Sequence, residues 1–232
     1  MIRSTPQKAL VLAPHPDDEA LGCGGTIKLI ASSGGTVDVV YLTRGERGVE
    51  LGARPSPELQ DELARQRSAE GEEACRILGV SSVRFLTGRD SHLDQEPDLW
   101  RDVWSALEAD HYRSVFCPWQ HDGHADHVAC FELLLAALRH RPRDIDVWLY
   151  EVWTPLGANM VIPIDSTIHC KLEAIRAHKS QMATMNYARA FRALAQYRSL
   201  FCPSTRYAEA FMMLDCQELL AAADRAPQPR LA

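Results

Sequence analysis

The chain of 232 residues carries 25 basic and 31 acidic residues, a formal net charge of −6, which argues against a nucleic-acid surface as its main feature. Its hydrophobic fraction of 46% and charged fraction of 24% are ordinary for a globular protein. Seven cysteines are scattered without a C-x-x-C pair, which argues against a disulfide framework and favours reduced thiols in a cytoplasmic protein. The sequence has neither a signal-peptide pattern nor a run of about 20 apolar residues, so we expect no membrane span.

Apolar and β-branched runs predict strands, in chain order, at 9–13, 36–43, 83–86, 114–119, 146–152, 160–164 and 207–214. Helical spacing predicts helices at 26–31, 58–78, 99–107 and 128–138, and a helical hairpin or broken helix over 166–198. Strands that alternate with helices of this length indicate a parallel sheet covered on both faces. We therefore expect one α/β domain over 1–225, with a Rossmann-like, mostly parallel sheet and helices on both faces, and a frayed tail at 226–232.

Two polar clusters directly follow predicted strands. His15, Asp17, Asp18 and Glu19 come after the first strand, and the segment HDGHADH at 121–127 comes after the fourth. The carboxyl ends of parallel strands meet at one edge of a sheet, so both clusters are expected in one site. Two imidazoles and one carboxylate are a common catalytic zinc set that leaves a position for water. A second carboxylate, off the metal, can then take a proton from that water.

These segments resemble the motifs of the PIG-L / LmbE-like zinc-dependent N-deacetylases. APHPDDEALGCGG is similar to the A-H-P-D-D-E signature of that family, and HADH is similar to its H-x-D-H motif. Further segments resemble the family in the same order: LTRGERG, RQRSAEGEEACRILGV, GRD, KLEAIRAHKSQ and AEAF. Ala125 stands where the family commonly has proline, which removes a rigid φ angle but no ligand.

The resemblance implies roles for eight residues. Three match the metal ligands of the family: His15, Asp18 and His127. Asp17 matches its general base, His124 matches the histidine that stabilises the intermediate or protonates the leaving amine, and Asp126 matches the carboxylate that tunes this histidine. Arg67 and Asp90 match positions that contact the sugar or its substituent.

The implied reaction is hydrolysis of the N-acetyl group of an N-acetylglucosamine-type sugar or glycoconjugate, with release of acetate. The implied cofactor is Zn²⁺, with Fe²⁺ or another divalent ion as the alternative, because histidine and carboxylate accept several metals. The partner is a small amino-sugar substrate, and family members often form hexamers or other homo-oligomers. Three alternatives stay open: the same chemistry on another acetylated amine (an aminoglycoside, a thiol-sugar precursor or a chitobiose-like disaccharide), a non-catalytic metal-stabilised binding domain, and a nucleotide-binding domain.

Several residues also have a purely structural interpretation. Aspartates in the first cluster can serve as a helix cap. Glycines 22, 24 and 25 are expected to pack the first helix on the sheet, because Ile27 stands where G-x-G-x-x-G needs its third glycine. His121 and Asp122 fit either the site or an exposed rim. Trp119 and Trp153 fit either packing or a sugar-stacking face, and we expect His178 to be structural.

Overall fold

The computed structural model describes residues 5–48 and 56–225, and within them one seven-stranded sheet has the order β3-β2-β1-β4-β5-β7-β6. The strands are β1 (Lys8–Ala13), β2 (Thr36–Tyr41), β3 (Ser82–Phe85), β4 (Ser114–Pro118), β5 (Asp146–Tyr150), β6 (Met160–Pro163) and β7 (Ala208–Asp215). Strands β1 to β5 pair in parallel, whereas β7 runs antiparallel between β5 and β6. The predicted mostly parallel α/β fold is thus confirmed.

Helices cover both faces of the sheet, as expected. They are α1 (Asp18–Ser32), α2 (Pro57–Leu78), α3 (Trp100–Glu108), α4 (Ala125–His140), α5 (Ile168–Ala177), α6 (Lys179–Met182), α7 (Tyr187–Arg198) and α8 (Cys216–Arg225). Alternation along β1 divides the core: Val11 packs in the cluster that contains α1, α2, α5 and α7, and Leu12 packs in the cluster that contains α3, α4 and α8. None of the helices in the described residues is long and apolar enough to cross a membrane.

The first helix differs from the prediction, which placed it only at 26–31. Helix α1 begins at Asp18 and is interrupted at Cys23, where φ is −141° and ψ is 17°. The Glu209 carboxylate of β7 accepts hydrogen bonds from the amides of Gly25 and Thr26, at 2.8 and 2.7 Å, just past this interruption. Buried Lys171 in turn lies 2.5 Å from Glu209. A carboxylate from the sheet therefore satisfies the amides at the kink.

The glycines of α1 allow close packing, as expected. A Cβ atom at Gly22 would lie 2.2 Å from the Tyr150 ring, and one at Gly25 would lie 2.8 Å from the Ile164 side chain. No side chain larger than hydrogen fits at either position without movement of Tyr150 or Ile164.

Two further differences concern the second half of the chain. The expected hairpin over 166–198 consists of three helices, α5, α6 and α7. Helix α8 was not predicted, although Cys216, Leu219 and Ala223 have helical spacing and pack against the core. The middle of the long loop expected at 44–57 and the tail expected at 226–232 lie outside the described residues, and the single domain over 1–225 stays a prediction.

Candidate active site

The two predicted clusters lie side by side because β1 and β4 are parallel neighbours at the centre of the sheet. The turn from β1 to α1 carries the first cluster, and the turn from β4 to α4 carries the second. Strand order reverses between β1 and β4, since the chain moves outward to β3 on one side and to β5 on the other. This is the point at which open α/β sheets form their ligand crevice.

His15, Asp18 and His127 converge in this crevice. The Asp18 carboxylate lies between the two imidazoles, with Oδ2 3.2 Å from His15 Nδ1 and Oδ1 3.2 Å from His127 Nε2. Burial would raise the pKa of Asp18, but His127 and His15 hold it well below its usual value. The three residues are buried, so the negative charge of Asp18 faces nitrogen ligands and little solvent.

The donor set fits a metal ion. Both ring nitrogens of His127 are buried and lack a hydrogen bond of good geometry, although each lies 3.2 Å from a carboxylate oxygen, of Asp18 or of Asp122. Two ligands of a tetrahedral zinc ion, each about 2.0–2.1 Å from the metal, are about 3.3 Å apart, close to the separations seen around Asp18. Two other groups bring their ligand atoms within 4.8 Å of one another: His15, His124 and His127, and His15, Asp90 and Asp126. The crevice thus contains histidine and carboxylate ligands for a cation.

Asp122 stands behind His127, with Oδ1 3.2 Å from His127 Nδ1. Its Oδ2 accepts backbone N–H groups of residues 152, 153 and 154, which fixes the carboxylate in place. A carboxylate on the far nitrogen of a histidine orients the ring and selects which nitrogen is free to bind a metal. Sequence reasoning left Asp122 open between site and rim, and the structure buries it within the site, whereas His121 is exposed.

The carboxylate of Asp126 forms its hydrogen bonds with groups other than His124. Its carboxylate lies 3.0 Å from His15 Nε2 and accepts the N–H groups of Ser91 and Leu93. The expectation was that Asp126 tunes His124, and its negative charge does act to raise the pKa of that imidazole. Only the backbone N–H of Asp126 forms a hydrogen bond with the ring, at Nδ1, 3.2 Å away. In this geometry Asp126 orients His15, because its carboxylate is held by two backbone amides and faces the Nε2 atom of that ring.

His124 is the N-cap of α4 and lines the open cleft. Its ring centroid lies 4.8 Å from that of His15 and 5.1 Å from that of His127. Burial, together with these two neighbouring imidazoles, lowers its pKa. Because Nδ1 accepts the amide of Asp126, Nε2 is left for a ligand in the cleft.

Asp17 does not share the contacts of Asp18. Its backbone has φ 144° and ψ −27°, a region that strongly favours glycine. Burial raises the pKa of its carboxyl to about 6, while Arg67, whose Nη2 lies 3.4 Å from Asp17 Oδ2, opposes the increase. A carboxyl group with this pKa is ionised at neutral pH yet is a stronger base than an ordinary aspartate.

Arg67 and Asp90 both line the cleft. The guanidinium of Arg67 donates to the carbonyls of Pro16 and Gly45, at 2.9 and 3.1 Å, and is almost fully buried. A Cβ atom at Gly45 would lie only 2.5 Å from this guanidinium, so the loop after β2 leaves room for it. Asp90 Oδ1 lies 3.4 Å from His15 Nε2. Their expected contact with sugar stays a prediction.

The cleft above these residues has a volume of about 540 Å³. Trp153 and Tyr187 stand at its rim, with ring centroids 6.1 Å apart, and Trp153 is 48% exposed. Trp119 has the structural role, because its Nε1–H donates to the carbonyl of Thr154. Of the two tryptophans left open by the sequence, Trp153 therefore faces the cleft.

Comparisons with known proteins agree with this site. The family model of the GlcNAc-PI de-N-acetylases, PIG-L, matches residues 10–138. Diacetylchitobiose deacetylase of Thermococcus kodakarensis is 31% identical over 196 residues, 75% of this chain and 70% of that protein. A Bacillus subtilis protein named "Probable N-acetyl-alpha-D-glucosaminyl L-malate deacetylase 2" is 32% identical over 192 residues, 77% of this chain and 85% of its own.

The fold is also similar to that of a solved deacetylase structure. The solved structure of N,N′-diacetylchitobiose deacetylase from Pyrococcus horikoshii superposes with a TM-score of 0.80 at 25% identity, covering 98% of this chain and 89% of that one. The family match spans both polar clusters and the strands that carry them, which confirms the resemblance seen in the motifs. This chain belongs to the PIG-L family of GlcNAc-PI de-N-acetylases.

Proposed function

We propose that this protein is a metal-dependent hydrolase that removes the N-acetyl group from an N-acetylglucosamine-type sugar or glycoconjugate and releases acetate. One observation carries the proposal: two histidines and a carboxylate converge in a cleft, and a second carboxylate, Asp17, stands beside them without a shared contact. Family membership and the activities in the names of the two relatives point to the same reaction class.

The proposed ligands of Zn²⁺ are His15, Asp18 and His127. Zinc held there would act as a Lewis acid toward the acetyl carbonyl and would lower the pKa of a water molecule to about 7. Fe²⁺ is the alternative ion, because the ligand set accepts both. Asp122 and Asp126 hold the two imidazoles from behind, so each ring presents one defined nitrogen to the crevice.

Asp17 takes the proton from the attacking water. Its carboxyl is buried near the proposed ligands, and its pKa of about 6 suits proton transfer near neutral pH. Asp18 is committed to the two histidines, which leaves Asp17 as the base. His124, with Nε2–H left for a ligand, is placed to donate a hydrogen bond to the developing oxyanion, and the proton that Asp17 takes from water passes to the leaving amine.

The rest of the cleft orients the sugar. Arg67 and Asp90 offer a guanidinium and a carboxylate to sugar hydroxyls on one side. Trp153 and Tyr187 offer an aromatic face at the rim, where a sugar ring or its substituent can stack. All seven cysteines are free thiols, which supports action in a reducing compartment such as the cytoplasm.

The deciding experiment is the Asp17→Asn variant. We expect it to bind about one zinc ion per chain, as the wild type does, and to keep only a small residual rate of acetate release from N-acetylglucosamine, N,N′-diacetylchitobiose or N-acetylglucosaminyl malate. Acetate release and metal content are measured on the same preparation. Wild-type turnover by the variant would refute the base assignment, and full activity of the wild type after thorough chelation would refute metal dependence. If the wild-type protein binds zinc but releases acetate from no acetylated amine, the binding-domain alternative is favoured.

A further inference from the structure

The strained backbone at Asp17 has an anchor of its own. The N–H group of Asp17 donates to Glu19 Oε2, 3.1 Å away, so a side chain of α1 holds the amide of the residue that precedes the helix. At φ 144° Asp17 would relax toward an ordinary conformation unless its surroundings held it. Strain of this kind persists where the structure over-determines the residue, and it clusters at functional sites.

The second oxygen of Glu19 connects this anchor to another part of the chain. Glu19 Oε1 lies 3.2 Å from His178 Nε2, and both side chains are almost completely buried. His178 lies at the junction of α5 and α6, where its φ of −76° and ψ of 66° end one helix and start the next. Glu19 therefore links the turn after β1 to a junction that lies 159 residues further along the chain.

Packing alone does not explain this pair. A buried ion pair contributes little net stability, because the cost of removing both groups from water offsets their attraction. His178 Nδ1 is also buried without a hydrogen bond, a cost that an apolar side chain of similar size would avoid. The pair instead fixes the backbone of Asp17. Glu19 accepts the Asp17 N–H, and the guanidinium of Arg67 donates to the preceding carbonyl, that of Pro16.

We propose that Glu19 and His178 are positioning residues that hold Asp17 in its strained conformation, with its carboxylate directed into the cleft. This inference rests on the proposed function, because it takes Asp17 as the base. His15 and Asp18 keep their own contacts with His127 and Asp126, so loss of the pair displaces the base and leaves the metal ligands in place. A displacement of about 1 Å at a reacting group lowers the rate by about 100-fold.

The test compares three variants of His178. Leucine removes the contact with Glu19, glutamine places an amide nitrogen where Nε2 stands, and asparagine is too short to reach it. We expect His178→Leu and His178→Asn to lower kcat by about 10- to 100-fold with unchanged KM and unchanged zinc content, and His178→Gln to restore most of kcat. The control is Tyr112→Phe, which removes a partly buried hydrogen bond to Asp38 of β2, outside the cleft, and is expected to lower Tm without changing kcat.

Two outcomes would overturn the inference: wild-type kcat in His178→Asn, or a loss in His178→Leu that glutamine does not restore. If the leucine variant does not fold, the comparison of asparagine with glutamine decides the question in the same way. The double variant Asp17→Asn/His178→Asn separates this inference from the proposed function. Its residual rate should equal that of Asp17→Asn alone, and a further 10-fold fall would show that His178 acts through another group. An active Asp17→Asn variant would instead refute the proposed function itself.

Discussion

Asp122 offers the sharpest test of how the metal site is oriented. In an Asp122→Asn variant, the three backbone N–H groups of residues 152–154 keep the amide oxygen on their side. The amide nitrogen, a donor, then faces His127 Nδ1, which lies 3.2 Å from Asp122 Oδ1 in the wild type. The imidazole must present a lone pair to that donor, so its proton moves to Nε2, the nitrogen that faces Asp18.

A protonated Nε2 cannot bind a metal, and the ring must be forced into its other tautomer before it can. Replacement of such an outer carboxylate lowers metal affinity by about 10- to 100-fold, or about 1.4–2.7 kcal/mol. We expect the zinc Kd of Asp122→Asn to rise by this factor, measured by competition with a chelator, and acetate release at limiting zinc to fall with it.

Asp165→Asn is the matched control. Asp165 also accepts backbone N–H groups, from Arg206 and Tyr207, but it lies outside the site. The Asp165→Asn substitution removes the same charge as Asp122→Asn and should leave the zinc Kd unchanged. If Asp122→Asn binds zinc with wild-type affinity, the tautomer of His127 is not set by Asp122 and the reasoning is refuted.

Two further substitutions test packing and substrate contact. Gly22→Ala places a Cβ atom 2.2 Å from the Tyr150 ring and should destabilise the protein by about 1–3 kcal/mol. The control, Gly157→Ala, has no atom within 4 Å of the added Cβ and should not change Tm. Equal Tm values for the two variants in thermal denaturation would contradict the close packing of α1. Trp153→Ala should raise KM by about 5- to 30-fold with little change in kcat, since it removes about 1–2 kcal/mol of sugar contact. Leu200→Ala, a change at a 75% exposed side chain away from the cleft, is its control, and an unchanged KM in Trp153→Ala would exclude the stacking role.

The sequence was informative where chemistry and strand ends coincide. His15, Asp17 and Asp18 follow a buried strand directly, and His124 and His127 follow another, so the parallel sheet alone is enough to bring them together. The alternation of strands and helices therefore predicted the fold, and the positions of the motifs after two strands predicted that these side chains meet.

Side-chain direction could not be predicted in the same way. The carboxylate of Asp126 forms a hydrogen bond with His15, 111 residues away in the sequence, and no local periodicity encodes such a contact. His178 was expected to be structural because it lies in the predicted helical hairpin over 166–198. Nothing in its local sequence relates it to Glu19, 159 residues away. The start of α1 was predicted too late for a related reason: its glycines lower helix propensity, and the compensating carboxylate of Glu209 comes from the last strand.

That last contact also constrains the order of folding. Gly25 and Thr26 form hydrogen bonds with a residue 184 and 183 positions later, so the helix that begins with Asp18 completes its amide pairing only after Glu209 has been synthesised. Contacts of such long sequence separation slow folding, because the chain must close a large loop before they form. During synthesis the turn after β1 and helix α1 therefore cannot complete their contacts until β7 has been made. A chain truncated before β7 would lack the Glu209 carboxylate that pairs with the amides of Gly25 and Thr26.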